Sequence, residues 1–404
     1  MENSPILQET PSPDPRRRVP LGDIVRYFLR LGALRFGGPV ALCGLMEREL
    51  VEAKGWLTKA EMREAIAASQ SLPGPLAIQV GIFVSYMRGG FWGAWAGGWA
   101  FILPNFLMVA ALGALYVHFG GLPWMTALFY GVSPVVIALI LHSCWRLSRL
   151  GMEHWQQWAI ATAAFLVTVV FKAEVAVLFL CAGAVGVAYY GTLFRRRPPQ
   201  ALAIGGLVAP AGVASAAHAA GPSVFGKLIL FFLKASSLTF GSGLVIVPFL
   251  EKGLVQENGW LSPRDFLIAV AIGMMSPGPV VITATFVGFL VAGFWGSLAS
   301  TIAIFLPSFV LVLLVAPLLQ RHRNNPNVQG FIKGTYGAAI GTIGGASVLL
   351  AKVAIGDALT GLIAVVALGL LFRFRIANPI LIAGAAVVGL IAFPWLRPAW
   401  VMIK

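Results

Sequence analysis

Polar and apolar residues segregate along this chain in blocks the length of whole helices. No Asp, Glu, Lys or Arg occurs from Gly89 to Trp145, and none from Phe266 to Gln320. Each tract is long enough for two helical crossings of a bilayer at about 20 residues apiece. Apolar segments are predicted near 22–46, 62–87, 91–117, 123–145, 157–171 and 175–191, and again near 227–250, 266–292, 294–319, 330–351, 354–372 and 377–396. The first is amphipathic and carries Arg26, Arg30 and Arg35; the second is interrupted by a Pro-Gly-Pro. The fifth and sixth are separated by a few residues and read as a tight helical hairpin. These runs are continuous rather than alternating in ~10-residue pieces, which excludes an outer-membrane barrel. The expectation is an all-α polytopic membrane protein.

The second half repeats the first. At an offset of 204, Phe36-Gly37-Gly38 meets Phe240-Gly241-Ser242, Glu47 meets Glu251, Gly55-Trp56-Leu57 meets Gly259-Trp260-Leu261, and Pro73-Gly74-Pro75 meets Pro277-Gly278-Pro279. At an offset of 203, Phe91-Trp92-Gly93 meets Phe294-Trp295-Gly296 and Leu103-Pro104 meets Leu306-Pro307. Self-similarity at a fixed spacing means a duplicated structural unit. The chain therefore divides into a disordered cytoplasmic tail (1–20), a first repeat (21–197), a linker (198–226) with a crossing segment at 201–220, and a second repeat (227–404).

Loop charges give the repeats opposite orientations. The loop after segment three is uncharged in the first repeat (Gly120 to Pro123), whereas its counterpart holds Arg321, Arg323 and Lys333. Lys172 beside Glu174 faces Arg373 and Arg375 at the later hairpin tip. Arg88 has no charged counterpart, and Arg146 with Arg149 answers to Lys352 offset by Asp357. Cationic loops stay in the cytoplasm, so the second repeat is inverted and the 201–220 segment supplies the odd crossing. The loop after segment one, where five glutamates nearly balance its cations, fits this less well and reads as interfacial, with segment one re-entrant. The total is about 13 segments. Inverted repeats with Gly/Pro-broken helices in matching places characterise secondary transporters.

Composition adds exclusions. The 404 residues include 29 basic and 15 acidic side chains, a net charge of +14. The basic residues lie in short clusters between apolar spans, so the charge serves topology and not nucleic acid. Only 11% of residues are charged, against about a quarter in an ordinary soluble domain. Cys43, Cys144 and Cys181 form no pairing pattern and read as small core residues. Five scattered histidines have no metal-ligand spacing, so no metal or cofactor is expected. There is no GxxxxGK[ST] to bind a nucleotide.

The helix breaks carry the candidate chemistry. A helix must stop before Ser71-Leu72-Pro73-Gly74-Pro75 and before Met275-Ser276-Pro277-Gly278-Pro279, because each proline removes a donor and clashes with the preceding turn. A restarted helix offers free N–H groups and a positive dipole end, which suit an anion. Gly37-Gly38-Pro39 and Gly241-Ser242-Gly243 break segment one in the same way. Ser71, Ser276 and Gln70 can add neutral hydrogen bonds. Arg30 and its counterpart Lys234 fit either a countercharge to the anion or snorkelling to headgroups. Arg35, near Gly37, is a further candidate. Arg88 reads first as a topological charge. Glu47 and Glu251 are matched acids that relay protons or lock their loop. Trp56 and Trp260 read as interfacial anchors, and Asn105, matched by Ser308, as a helix–helix contact.

The Phe36-Gly37-Gly38-Pro39 motif, the Gly-Trp after a charged loop and the duplicated Pro-Gly-Pro resemble the chromate ion transporter family in its long, two-domain form, from about residue 20 to 396. The second repeat departs from the motif, with Ser242-Gly243 in place of Gly38-Pro39. The resemblance implies export of chromate across the bacterial cytoplasmic membrane and chromate resistance, with sulfate as a competing analogue. A sulfate or other oxyanion permease is the alternative within transport. A lipid-modifying transferase is the alternative of another class, though the histidines have no matched partners across the repeat. The expected surroundings are chromate, sulfate as its analogue and the lipid bilayer, with a homodimer left open. The N-terminus is placed in the cytoplasm.

Overall fold

A computed structural model describes residues 18–35, 39–70, 72–119, 123–171, 175–191, 224–237, 246–277, 279–315, 325–374 and 376–396. The 201–220 stretch, expected to cross, lies outside these, as does most of the N-terminal tail. Among the described residues the protein is helical, with no strand. The first repeat runs α1 (Leu21–Leu34), α2 (Pro39–Glu47) continuing as a π turn (Arg48–Ala53), α3 (Lys59–Gln70), α4 (Leu76–Phe119), α5 (Pro123–Gly151), α6 (Trp155–Phe171) and α7 (Val175–Tyr190). The second runs α8 (Val224–Ser237), α9 (Ile246–Glu251) with its π turn (Lys252–Glu257), α10 (Pro263–Met275), a 3-10 turn (Val280–Ile282), α11 (Thr283–Val310), α12 (Pro326–Ala354), α13 (Ala358–Arg373) and α14 (Asn378–Leu396). Among the described residues, five helical runs are long and apolar enough to cross a membrane, Leu76–Phe119, Trp124–Arg149, Val280–Leu314, Pro326–Ala354 and Asn378–Trp395.

Correspondence extends to single faces. On α1, Ile24, Tyr27, Phe28 and Leu31 are buried at helical spacing while Arg26 and Arg30 are exposed. On α8, Leu228, Phe232 and Ala235 occupy the equivalents of Ile24, Phe28 and Leu31 and are likewise buried. Each stripe packs on the long element that follows, α1 on α4 and α8 on α11.

The long elements are bent back on themselves. Gly90 (φ 64°, ψ −156°) and Gly293 (φ 62°, ψ −154°) hold a left-handed conformation open to glycine. After Gly90 the chain returns along its own first leg, so a Cβ on Gly97 would lie 2.1 Å from Ser85 Oγ. In α11 the equivalent contact has the residue types swapped, a Cβ on Gly288 falling 2.0 Å from Ser300 Oγ, which donates to the Ala284 carbonyl at 2.7 Å beside Thr285 and Thr301 Oγ1 atoms 2.7 Å apart. The first leg, residues 76–89, spans roughly 21 Å at 1.5 Å per residue, less than the ~30 Å hydrocarbon core. α3 adds no length to it: Arg88, near the end of the leg, meets Glu61 at the start of α3, so the two helices run back-to-back from the break with their outer ends together.

The fifth and sixth segments do not form the expected hairpin. α6 and α7 barely touch each other and pack instead along α12 of the second repeat; reciprocally, α13 and α14 pack along α5. The cause is a set of small residues that lets backbones approach. A Cβ on Gly186 would meet the Gly330 carbonyl at 2.1 Å, and one on Gly334 the Ala182 carbonyl at 2.1 Å. The mirror contacts are Gly389 against the Ala127 carbonyl at 2.3 Å and Gly131 against the Ala385 carbonyl at 1.9 Å. Small-xxx-small pairs drive close helix contact where lipid gives no hydrophobic force. Tyr130 Oη donates to Asp357 Oδ2 at 2.7 Å on one side of the exchange, and Lys333 Nζ pairs with Glu153 Oε2 at 3.2 Å on the other.

Gly131→Ala is expected to destabilise the detergent-purified protein by about 1–3 kcal/mol through overpacking, measured as a lower melting temperature. Gly369→Ala, on an exposed helix position with nothing within 4 Å, is expected to be neutral or to stabilise by up to about 1 kcal/mol. Equal effects at the two positions would sink the exchange as a source of stability.

Candidate functional site

Both Pro-Gly-Pro sequences interrupt a helix and allow it to restart after the second proline. α3 ends at Gln70 and α4 begins at Leu76; α10 ends at Met275 and the turn at Val280 leads into α11. In the first break Gly74 has φ +132°. The Pro75 carbonyl accepts from the N–H groups of Ile78 and Gln79, both at 3.1 Å. The first N–H groups of the restarted helix have no intrahelical acceptor.

Gln79 and Ser308 converge on this break. Gln79 is fully buried, and its Nε2 donates to the Pro73 carbonyl at 2.6 Å. That carbonyl only accepts, so it sets which end of the amide faces it. Oε1 is buried with no hydrogen-bond partner among the described residues, and the same holds for Oγ of Ser308. A Cβ on Gly74 would lie 2.3 Å from Gln79 Nε2 and 2.7 Å from Ser308 Oγ. Glycine is required here both for its φ and for the close approach. Ser308 belongs to α11, so the second repeat touches the first repeat's break.

The second break is closed by its own residues. Ser276 donates its N–H to the Ile272 carbonyl at 3.1 Å and its Oγ–H to the Gly273 carbonyl at 2.9 Å. Pro277 and Pro279 are buried, and Thr283 Oγ1 donates to the Val280 carbonyl at 2.7 Å. The Val280–Ile282 turn packs against α4. Asn105, the counterpart of Ser308, donates from Nδ2 to the Gly32 carbonyl at 3.1 Å and the Phe101 carbonyl at 3.3 Å. It is thus the helix–helix contact expected from its position, tying α1 to α4, with Oδ1 left buried and unpartnered among the described residues.

The cations lie elsewhere. Arg30 and Lys234 are exposed on α1 and α8, and Lys234 Nζ lies 6.0 Å from the centre of the Phe249 ring. Arg35 is paired with Glu49 at 3.0 Å. Glu47 is half-buried at the end of α2; Glu251 accepts from Gln256 Nε2 at 2.9 and 3.0 Å. Gly37, Gly38, Ser71, Gly241, Ser242 and Gly278 lie outside the described residues. Trp56 and Trp260 pack inward, edge-on to Tyr27 and Phe231. Gln70 is exposed, so the useful glutamine is Gln79. It is an amide in an apolar stretch one turn after a break, a position that by itself does not say where the amide turns.

Arg88 also proves to be more than a topological charge. It is 3% exposed, pairs with Glu61 Oε2 at 2.5 Å and donates from Nε to the Trp56 carbonyl. Glu61 sits in the charged first turn of α3, outside the apolar segment. It forms a capping box, accepting from the Thr58 N–H at 2.8 Å while its own N–H donates to Thr58 Oγ1 at 3.2 Å. Burial pushes its carboxyl pKa up, but the Thr58 and Arg88 hydrogen bonds and the Arg88 charge outweigh that and hold it below its ordinary value. The pair pins the loop before α3 to the bend at Gly90.

Arg88→Met is expected to cost about 1.5–3 kcal/mol, the loss of a hydrogen bond to a charged group whose carboxylate keeps partial access to solvent. Because the folded carboxyl is depressed, Glu61 contributes stability at neutral pH that disappears as pH falls below the ordinary 4.5 toward the lower folded value. Glu61→Gln should flatten this acid limb of the melting-temperature profile; an unchanged limb would mean that other carboxylates set it.

Comparisons with known proteins match this duplicated architecture. Residues 22–187 and 226–390 each match the family model described as a chromate transporter. The chain is 43% identical over 405 residues to the "Chromate transport protein" of Cupriavidus metallidurans, covering 98% of this chain and 100% of that one. It is 41% identical over 382 residues to the "Probable chromate transport protein" of Synechococcus elongatus, covering 92% and 95%. The "Uncharacterized transporter YwrA" of Bacillus subtilis is 27% identical over 158 residues, which is 38% of this chain but 89% of that shorter protein, about one repeat. No solved structure matches the chain.

Proposed function

Because this chain belongs to the chromate transporter family, we propose that it is a secondary transporter that carries chromate out across the bacterial cytoplasmic membrane and so confers resistance. The observation that carries this reading is the pair of interrupted helices in matched places of a duplicated membrane unit. The anion sits at the breaks, bound by N–H groups at restarted helix ends and by neighbouring polar side chains. The exchanged helices (α5 with α13 and α14, α12 with α6 and α7) act as a scaffold. The break-bearing elements α1–α4 and α8–α11 move against it and expose the site alternately. The repeats face opposite ways and the N-terminal segment is cytoplasmic. The chain does no covalent chemistry on its substrate.

An anion leaving an inside-negative cell gains about 2.3 kcal/mol per charge per 100 mV. For a dianion that is roughly 4.6 kcal/mol, a gradient on the order of a thousandfold. In everted vesicles, chromate uptake is expected to rise with a lumen-positive potential and to be competed by sulfate more strongly than by an unrelated anion. Flux indifferent to potential would reject electrogenic efflux, and sulfate carried in preference to chromate would make the protein a sulfate permease. Reporter fusions in the 320–328 and 373–375 loops should report the cytoplasm, and one in the 119–122 loop the periplasm. The same side for all three would remove the inversion.

A further inference from the structure

We infer that Gly74, Gln79 and Ser308 form a neutral oxyanion subsite built across the boundary between the repeats; this rests on the transport reading and names the groups that bind. The first support is Ser308. Its hydroxyl is fully buried, has no partner among the described residues, and stands against Gly74. A buried donor left unpaired costs free energy, and a ligand oxygen that accepts its proton recovers it. The second is Gln79. One Nε2–H is held by the Pro73 carbonyl, and the amide has a second to give. The third is the restarted α4, whose opening N–H groups and dipole favour negative charge.

These donors carry no formal charge. That suits a tetrahedral oxyanion, whose four oxygens accept many short bonds and whose charge is met by oriented dipoles. The Oε1 atom of Gln79 accepts a hydrogen that the ligand brings, either a proton on the oxyanion or that of an accompanying water. The way in follows α3, which buries Met62, Ala65, Ala68 and Ser69 and leaves its other face exposed, whereas α10 is buried from Phe266 to Met274. The counterpart of Ser308 offers nothing similar. Both Nδ2 hydrogens of Asn105 are used on the Gly32 and Phe101 carbonyls, so among the described residues the position that matches Ser308 has no free donor to offer.

The test is concentration-dependent chromate uptake into everted vesicles, with the detergent-extracted yield of each variant as a control for folding. Ser308→Ala is expected to raise the half-saturating concentration about tenfold or more with little change in maximal rate, the loss of one hydrogen bond to a charged group. Gln79→Leu should do the same, and Ser308→Thr should restore most of the affinity. Ser297→Ala removes another buried hydroxyl without a partner from the same helix and should leave uptake unchanged. Calorimetric titration of purified protein with molybdate should give one site per chain, weakened in Ser308→Ala. Wild-type uptake with unchanged half-saturation in Ser308→Ala and Gln79→Leu would overturn the subsite and leave the transport reading standing, as would two equal molybdate sites. Absence of chromate uptake by the wild type would overturn the transport reading, and the titration would then decide the subsite alone. A Gln79→Leu penalty that grows as chromate becomes protonated assigns the extra hydrogen to the substrate; a constant penalty assigns it to water.

Discussion

A helix interrupted inside a bilayer leaves backbone donors and acceptors that lipid cannot satisfy. The architecture of this protein follows from covering two such interruptions. At the first break the Pro73 carbonyl is taken by Gln79, and Ser308 reaches in from the other repeat. At the second, Ser276 and Thr283 turn back on their own chain. The breaks persist because each is enclosed by protein, the first with Ser308 of the other repeat against it and the second by its own residues, its turn packed on α4.

Mutual enclosure explains the exchange of helix pairs. Had α6 and α7 packed on each other, each repeat would have closed on itself. Gly186 with Gly330 and Gly334, and Gly389 with Ala127 and Gly131, instead bring the pairs onto the opposite repeat's long helix at backbone contact. The two halves are linked as one body around the breaks. Duplication has not kept them equal in chemistry. The first repeat pins its charged loop with Arg88 and Glu61, where the second has Val291 at the matching place. The second ties Asp265 of α10 to Tyr116 of α4 at 2.6 Å. α3 keeps an exposed face along its length, whereas α10 is buried from Phe266 to Met274, so two breaks of the same sequence are approached by differently covered helices.

The boundary between what was readable and what was not runs through particular residues. Pro73-Gly74-Pro75 announced its break because two prolines around a glycine defeat a helix in any surroundings. The α1 stripe announced its buried face by period alone. Asn105 was readable as a helix contact, since an amide in a charge-free tract must find a partner. Gln79 was not, because nothing local distinguishes an amide that turns back on Pro73 from one that packs elsewhere. Arg88 looked like a loop charge because its partner, Glu61, lies 27 residues away at the start of α3, one of several acids in that stretch.

Local stereochemistry and hydropathy, which act on neighbours in the chain, are sufficient to determine helices, interruptions, the duplication and membrane residence. The linear sequence carries these in full. Partners brought together over long separations are a different matter. That α5 receives α13 and α14, that Ser308 stands at Gly74, and that Arg35 spends its charge on Glu49 depend on which surfaces fit when the helices assemble. Packing between distant segments decides those contacts, and only the assembled fold contains it.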